Sequence, residues 1–264
     1  MSAPRRSADP RGASPADRPR TARARSRRLR AWIPPQHGVW AMLLLPYLAG
    51  LRFGVDWLHI PLLLGWLTGW LASYHLLLWV KTGRFLRVRA QVLAFGAACA
   101  ATLLPVVALR PGLAWFAPAF AVLLAVNVVL TRAGQERSSV NGIASVTMAS
   151  LMAMIVPATA GLDWRLGVPV ALVAWAYLAG SVLYVKTMIR EHGSLIHRVV
   201  SALFHAAALV ATTAYWPWLA ATFGLLLARA VILPARARLR VAIIGASEVG
   251  VSLVVLASLL LMPV

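Results

Sequence analysis

From Trp40 to Met262 the chain alternates between runs of Leu, Ala and Val close to twenty residues long and short clusters of charge, glycine and proline. Unbroken apolar runs of that length are what an α-helix needs to cross the roughly 30 Å hydrocarbon core of a bilayer, whereas barrel strands would alternate over about ten residues. Cutting at the clusters predicts nine helices, near residues 38–54, 60–80, 91–109, 114–131, 142–161, 167–187, 198–214, 216–233 and 241–262. Only Tyr215, Trp216 and Pro217 separate the seventh from the eighth, and joining them would leave eight. The expected fold class is all-α, a polytopic transmembrane helical bundle of nine spans in residues 34–264, preceded by a tail over residues 1–33.

The spans carry a repeat. Trp79-Val80-Lys81-Thr82 at the end of the second span returns as Tyr184-Val185-Lys186-Thr187 at the end of the sixth, and Trp70 and Trp175 share the same offset. Ala144-Ser145 and Ser150-Leu151 in the fifth span match Ala246-Ser247 and Ser252-Leu253 in the ninth. Both offsets equal the length of about four spans, so a four-span unit repeated in one orientation, plus one further helix, gives a 4+4+1 parallel plan. Parallel repeats place substrate sites between their halves, which directs attention to the paired lysine loops. Gly65 and Gly69 in the second span, and Ser145, Ala149 and Ala153 in the fifth, set small residues on one face for close helix packing.

Composition narrows the function classes. Of 264 residues 61% are hydrophobic and 12% charged, with a mean hydropathy of +0.77. A chain so poor in charge has no water-facing surface, which excludes a soluble enzyme and an intrinsically disordered protein. The net charge of +19 is unevenly spread. Ten of the 26 Lys and Arg residues fall between Arg5 and Arg30, among Pro4, Pro10, Pro15 and Pro19, a segment expected to be disordered and to rest on anionic cytoplasmic lipid. With that tail inside, the even-numbered loops hold Lys81, Arg84, Arg87 and Arg89; Arg132 and Arg137; Lys186, Arg190 and Arg198; and Arg229, Arg236, Arg238 and Arg240. Only Arg52, Arg110 and Arg165 fall on the other side. The positive-inside rule then puts the N-terminus in the cytoplasm and the C-terminus outside, with Trp57, Trp115, Trp164, Trp216 and Trp218 at the outer headgroup level. Nothing basic outside the tail has the form of a nucleic-acid fold, so no nucleic-acid partner is expected. The single Cys99 lies in an apolar run, forms no intramolecular disulfide and is read as a packing residue.

Polar groups in lipid need a partner or a wet cavity, and here they gather on one side. Gln36 and His37 precede the first span, Glu136, Arg137 and Asn141 precede the fifth, and Lys186, Arg190 and Glu191 close the sixth. Lys186 and Arg190 are one turn apart and can face one anion. Deeper, His75, His205 and Glu248 lie about 9–12 Å from the inner ends of their spans at 1.5 Å per residue. The expectation is an inward-facing cavity with a basic rim and a polar floor; the alternative is a set of orientation charges paired with their neighbours, Glu136 with Arg137 and Arg190 with Glu191. There is no Ser/His/Asp grammar, no HExxH, no phosphate loop and no acidic metal cluster, so no catalytic residue, metal or cofactor is assigned.

Pro35-Gln36-His37-Gly38-Val39-Trp40-Ala41-Met42-Leu43-Leu44-Leu45-Pro46, with Tyr184-Val185-Lys186 and Arg190-Glu191, resembles the YwiC-like family of bacterial integral membrane proteins from about Pro34 to the end of the chain. That resemblance implies a bacterial cytoplasmic membrane protein and carries no activity with it. A more distant likeness, to the UbiA-type prenyltransferases, implies nine helices and functional loops after the second and sixth spans. Those enzymes hold a magnesium-bridged isoprenoid diphosphate on Asp-rich motifs, whereas the loops here read Lys81-Thr82-Gly83-Arg84 and Lys186-Thr187-Met188-Ile189-Arg190-Glu191, without Asp. Three functions follow as expectations. Lys81, Arg84, Lys186 and Arg190 hold an anionic or isoprenoid lipid, with any chemistry being prenyltransferase-like without the usual motifs. Alternatively, Glu248 and His205 relay protons in a transporter, or the chain is a membrane scaffold. Membrane lipids are the expected partners, and the oligomeric state is open.

Overall fold

Nine α-helices run through the described residues, 32–34, 37–236 and 239–263 of the computed structural model, and no strand occurs among them. They are α1 His37–Gly50, α2 His59–Thr82, α3 Phe85–Leu109, α4 Ala117–Arg132, α5 Ser139–Thr159, α6 Val168–Ile189, α7 Leu195–Tyr215, α8 Leu219–Arg236 and α9 Val241–Leu260. Each predicted span is present, the third beginning at Phe85 rather than near residue 91, so that Arg87 and Arg89 lie in its first turns rather than in a loop, and the seventh and eighth are separate helices. The break is a tight turn in which the Trp216 N–H donates to the Thr212 carbonyl (2.8 Å) and the Leu219 N–H to the Trp216 carbonyl (3.0 Å). Eight of the helices, counting the 3₁₀ turns that lead into α4 and α6, are long and apolar enough to cross a membrane. The first is shorter than expected: α1 and the 3₁₀ turn Leu51–Phe53 together rise about 27 Å, just under the hydrocarbon thickness. Almost all of the tail, together with Gln36, lies outside the described residues, and His37 is described only as the first backbone position of α1.

The boundaries have local causes. Ser138 and Ser194 cap α5 and α7, their hydroxyls accepting from the N–H groups of Asn141 (3.2 Å) and His197 (3.5 Å). Gly83 ends α2 at φ 67°, a left-handed conformation that glycine adopts without strain, and returns its N–H to the Trp79 carbonyl (2.8 Å).

Short α1 packs against α5, α6 and α9, burying Leu43, Leu45, Tyr47 and Ala49. Small residues let the centre close: Ala149 and Ala153 of α5 and Ala174 and Ala179 of α6 are fully buried. At Gly167, before α6, an added Cβ would stand 2.1 Å from the Ala153 carbonyl oxygen. Pro157 lies four residues after Ala153 and supplies no N–H to that carbonyl, so Gly167 packs beside a kink-prone turn. Gly65 and Gly69 lie against Leu103 and Cys99 of α3, which confirms them, and Cys99, as packing residues. By contrast α3 and α4 expose most of their apolar side chains, among them Leu93, Leu104, Val122 and Val129, a surface suited to lipid.

The order and lengths of α2–α5 recur in α6–α9 just over a hundred residues later. Their packing is not copied, because α2 lies chiefly on α3 whereas α6 lies chiefly on α5 and α7.

Candidate functional site

At the basic end, the first turns of α1 and α5, the last turns of α6 and the middle of α9 enclose a cavity of about 370 Å³. Its mouth is polar, formed by Glu136, Arg137, Ser138, Ser139 and Asn141 on one side and Lys186 and Arg190 on the other. The walls are apolar, with Met42, Val146, Leu178, Val182, Val185 and Val249, and the floor turns polar again at Tyr177, Ser181, Glu248 and Ser252. The expected basic rim and polar floor are thus one continuous space. Gly142 permits it: an added Cβ would lie 2.7 Å from Val182, so α5 and α6 meet closely at the mouth.

Two loops converge on the α4–α5 segment. Lys81, from the end of α2, forms an ion pair with Glu136. Lys186 Nζ donates to Ser139 Oγ (3.2 Å) and Arg190 Nη1 to the Arg137 carbonyl (3.5 Å), both from the end of α6. Asn141 Nδ2 ties the segment back on itself through the Glu136 carbonyl (2.9 Å). The hydrogen bond from Lys81 holds the Glu136 carboxyl below its ordinary value of 4.5. The repeat-related lysines therefore grip one loop, but only Lys186 lines the cavity; Lys81 and Arg84, the residue before α3, stand outside it. Glu191 turns the other way, 3.7 Å from His197, and Glu136 pairs across the loops, so neither acid pairs with its chain neighbour.

The floor is built around an ion pair inside the membrane. The Glu248 carboxylate accepts from Ser181 Oγ on α6 and from Arg229 Nη1 on α8. Tyr177 Oη and Ser252 Oγ share a hydrogen bond of 2.8 Å beneath it. The Arg229 guanidinium lies 4.1 Å over the Tyr184 ring. Arg229 and Glu248 are each only 8% exposed.

Arg229 is the residue whose role the charge count misplaces. Taken there as a loop charge, it lies seven residues inside α8, and Glu248 lies seven inside α9, both about 10 Å deep. The sequence does hold the signal, since the two positions are equidistant from the α8–α9 turn and so level across an antiparallel hairpin.

The remaining deep candidates lie elsewhere. His75, buried in α2, donates from Nδ1 to the Leu71 carbonyl (2.8 Å) and stacks on Phe95. His205 in α7 donates from Nδ1 to the Ser201 carbonyl (2.7 Å) and sits against Gly180 of α6. Neighbouring Ser181 points to Glu248, so α6 stands between His205 and Glu248, while His205 remains within electrostatic reach of Arg229 and does not line the cavity.

A bundle of apolar helices with a charged mouth and a buried ion pair is a multi-pass helical membrane protein. The family profile for YwiC-like protein matches residues 33–157. The chain is 31% identical over 204 residues to the uncharacterized protein YwiC of Bacillus subtilis, an alignment covering 74% of this chain and 80% of that one. It is 28% identical over 226 residues to an uncharacterized protein of Haemophilus influenzae, covering 84% and 94%. The chain therefore belongs to the YwiC-like family. No solved structure matches it.

Proposed function

We propose that the cavity binds an amphiphile with an anionic head, an anionic or isoprenoid lipid, taken from the cytoplasmic leaflet of a bacterial inner membrane. The observation that supports this is the pair Lys186 and Arg190, one turn apart on α6, at the mouth of a cavity whose walls are apolar. A volume of about 370 Å³ is at the lower end for ligand pockets, so it takes a headgroup and the first carbons of a chain rather than a whole polyprenyl tail. Any transferase chemistry there would proceed without Asp-rich metal motifs, because lysines stand in both loops.

The test is purification in native lipid followed by mass spectrometry of co-retained molecules. Lys186→Ala/Arg190→Ala should lose a specific anionic lipid that the wild type and Lys81→Ala both keep. The same lipid content in all three would overturn the reading. A second reading, proton-coupled transport, draws support from Glu248 alone, the one acid among the described residues that lies within a helix. It requires flux to change with Glu248→Gln.

A further inference from the structure

Arg229 has more donors than its surroundings satisfy. Its Nη1 reaches Glu248, but Nε and Nη2 are buried without hydrogen-bond acceptors, and so is the Tyr184 hydroxyl whose ring lies under the guanidinium. Nε and Nη2 carry three of the five N–H directions of a rigid fork shaped to bind a carboxylate, phosphate or sulfonate at two points. Glu248 fills one of those directions, from the cavity side.

We infer that Arg229, which lies behind Glu248 and outside the cavity lining, is the deep anion-binding residue reached from this cavity and that Glu248 occupies it as an internal stand-in. An incoming oxyanion displaces the Glu248 carboxyl from the guanidinium; Glu248 takes a proton from the cytoplasmic solution and turns aside as a neutral acid that keeps its hydrogen bond with Ser181. The anion and one proton therefore bind together. Without that proton, the exchange would leave two anions beside one guanidinium in a poorly hydrated site. The groups facing Glu248 do not offer another route to neutrality. From α6 they are Tyr177, Ser181 and Tyr184, from α8 Arg229 and from α9 Ser252, while Ala41 and Met42 of α1 and Val146 of α5 carry no titratable group. Lys186 and Arg190 remain at the mouth, where they receive the anion first; His205, across Gly180 of α6 from Glu248, is within electrostatic reach of Arg229, and the proton count of Glu248→Gln tells the two groups apart. The inference rests on the reading that an anion enters this cavity.

The full chain in phosphatidylcholine nanodiscs is titrated with decyl sulfonate and, separately, with inorganic sulfate, probes whose charge is constant between pH 5 and 9. Calorimetry in two buffers of different ionisation enthalpy counts the protons. The expected result is about one proton taken up per anion bound, with affinity weakening up to about tenfold per pH unit as pH rises. Uptake with decyl sulfonate alone identifies a lipid-like ligand; uptake with sulfate as well identifies a small free anion. Binding without proton uptake overturns the exchange and leaves the rim reading standing, whereas no binding of either probe overturns both. In Glu248→Gln, binding should persist with no proton uptake and no pH dependence. Arg229→Lys should lose at least tenfold in affinity. Thermal unfolding of each variant separates this from misfolding, and the wild-type proton count stands without them.

Discussion

At the residue scale the Arg229–Glu248 pair sets the largest local stakes. A buried pair is close to neutral when replaced whole by apolar groups, but removal of one partner strands a charge at a cost of about 3–5 kcal/mol. Glu248→Ala and Arg229→Ala should each lower the unfolding temperature sharply in detergent, and Arg229→Met/Glu248→Leu should recover most of the loss. A double variant no more stable than either single one would show that the pair is held by something other than mutual neutralisation. Glycine gives a steric counterpart. Gly167→Ala drives a Cβ into the Ala153 backbone and should cost about 1–3 kcal/mol, whereas Gly224→Ala in α8, with open space around it, should gain roughly 0.5–1 kcal/mol. Thermal unfolding of the two variants reads both signs.

At the scale of elements, the α4–α5 segment is held by two loops, in which Lys81 and Arg190 are exposed and Lys186 is half-buried. Lys81 and Glu136 are partly in water, so their pair is screened, whereas Lys186 and Arg190 act at the cavity mouth. The Glu136 carboxyl titrates below its ordinary 4.5, so its contribution is complete above that value and disappears as pH falls through the lowered one. Hydrogen exchange at residues 136–141 should therefore be unchanged from neutral pH down to about 5 and, after correction for intrinsic rates, quicken only in stronger acid; Lys81→Ala should quicken it at neutral pH. The sequence made the elements legible because apolar run length alone decides a membrane helix, and the Ser138 cap and Gly83 stop announce their ends. It also showed the rim, since Lys186 and Arg190 share a helix face. It did not show that Lys81 turns to Glu136 rather than to the cavity, or that His205 and Glu248 occupy different faces of α6. Those facts depend on which helices adjoin, and a lipid-facing and a core-facing residue look alike in a uniformly apolar span.

For the whole molecule, the two ends differ in how their charge is used. At the opposite end each of the three basic residues, Arg52, Arg110 and Arg165, has a local partner. Arg52 donates to the Leu259 (2.6 Å) and Met262 carbonyls at the end of α9, where a cation meets the negative end of the helix dipole. Arg110 is 3.5 Å from Asp56 and donates to the Thr159 carbonyl (3.0 Å), and Arg165 is 3.5 Å from Asp163. At the cavity end the cations far outnumber Glu136 and Glu191, even after Arg229 is moved from the loop to the core. The Lys and Arg asymmetry persists once Arg229 is placed in the core, and it supports the proposed orientation, with the cavity towards the cytoplasm. Replacing Cys99 by Ala leaves a background free of thiols, since it is the single cysteine. On that background Ser138→Cys should react with a membrane-impermeant maleimide only in inverted vesicles, and Asp163→Cys only in intact spheroplasts. The reverse pattern would turn the cavity outward, and its ligand would then come from the outer leaflet or the periplasm.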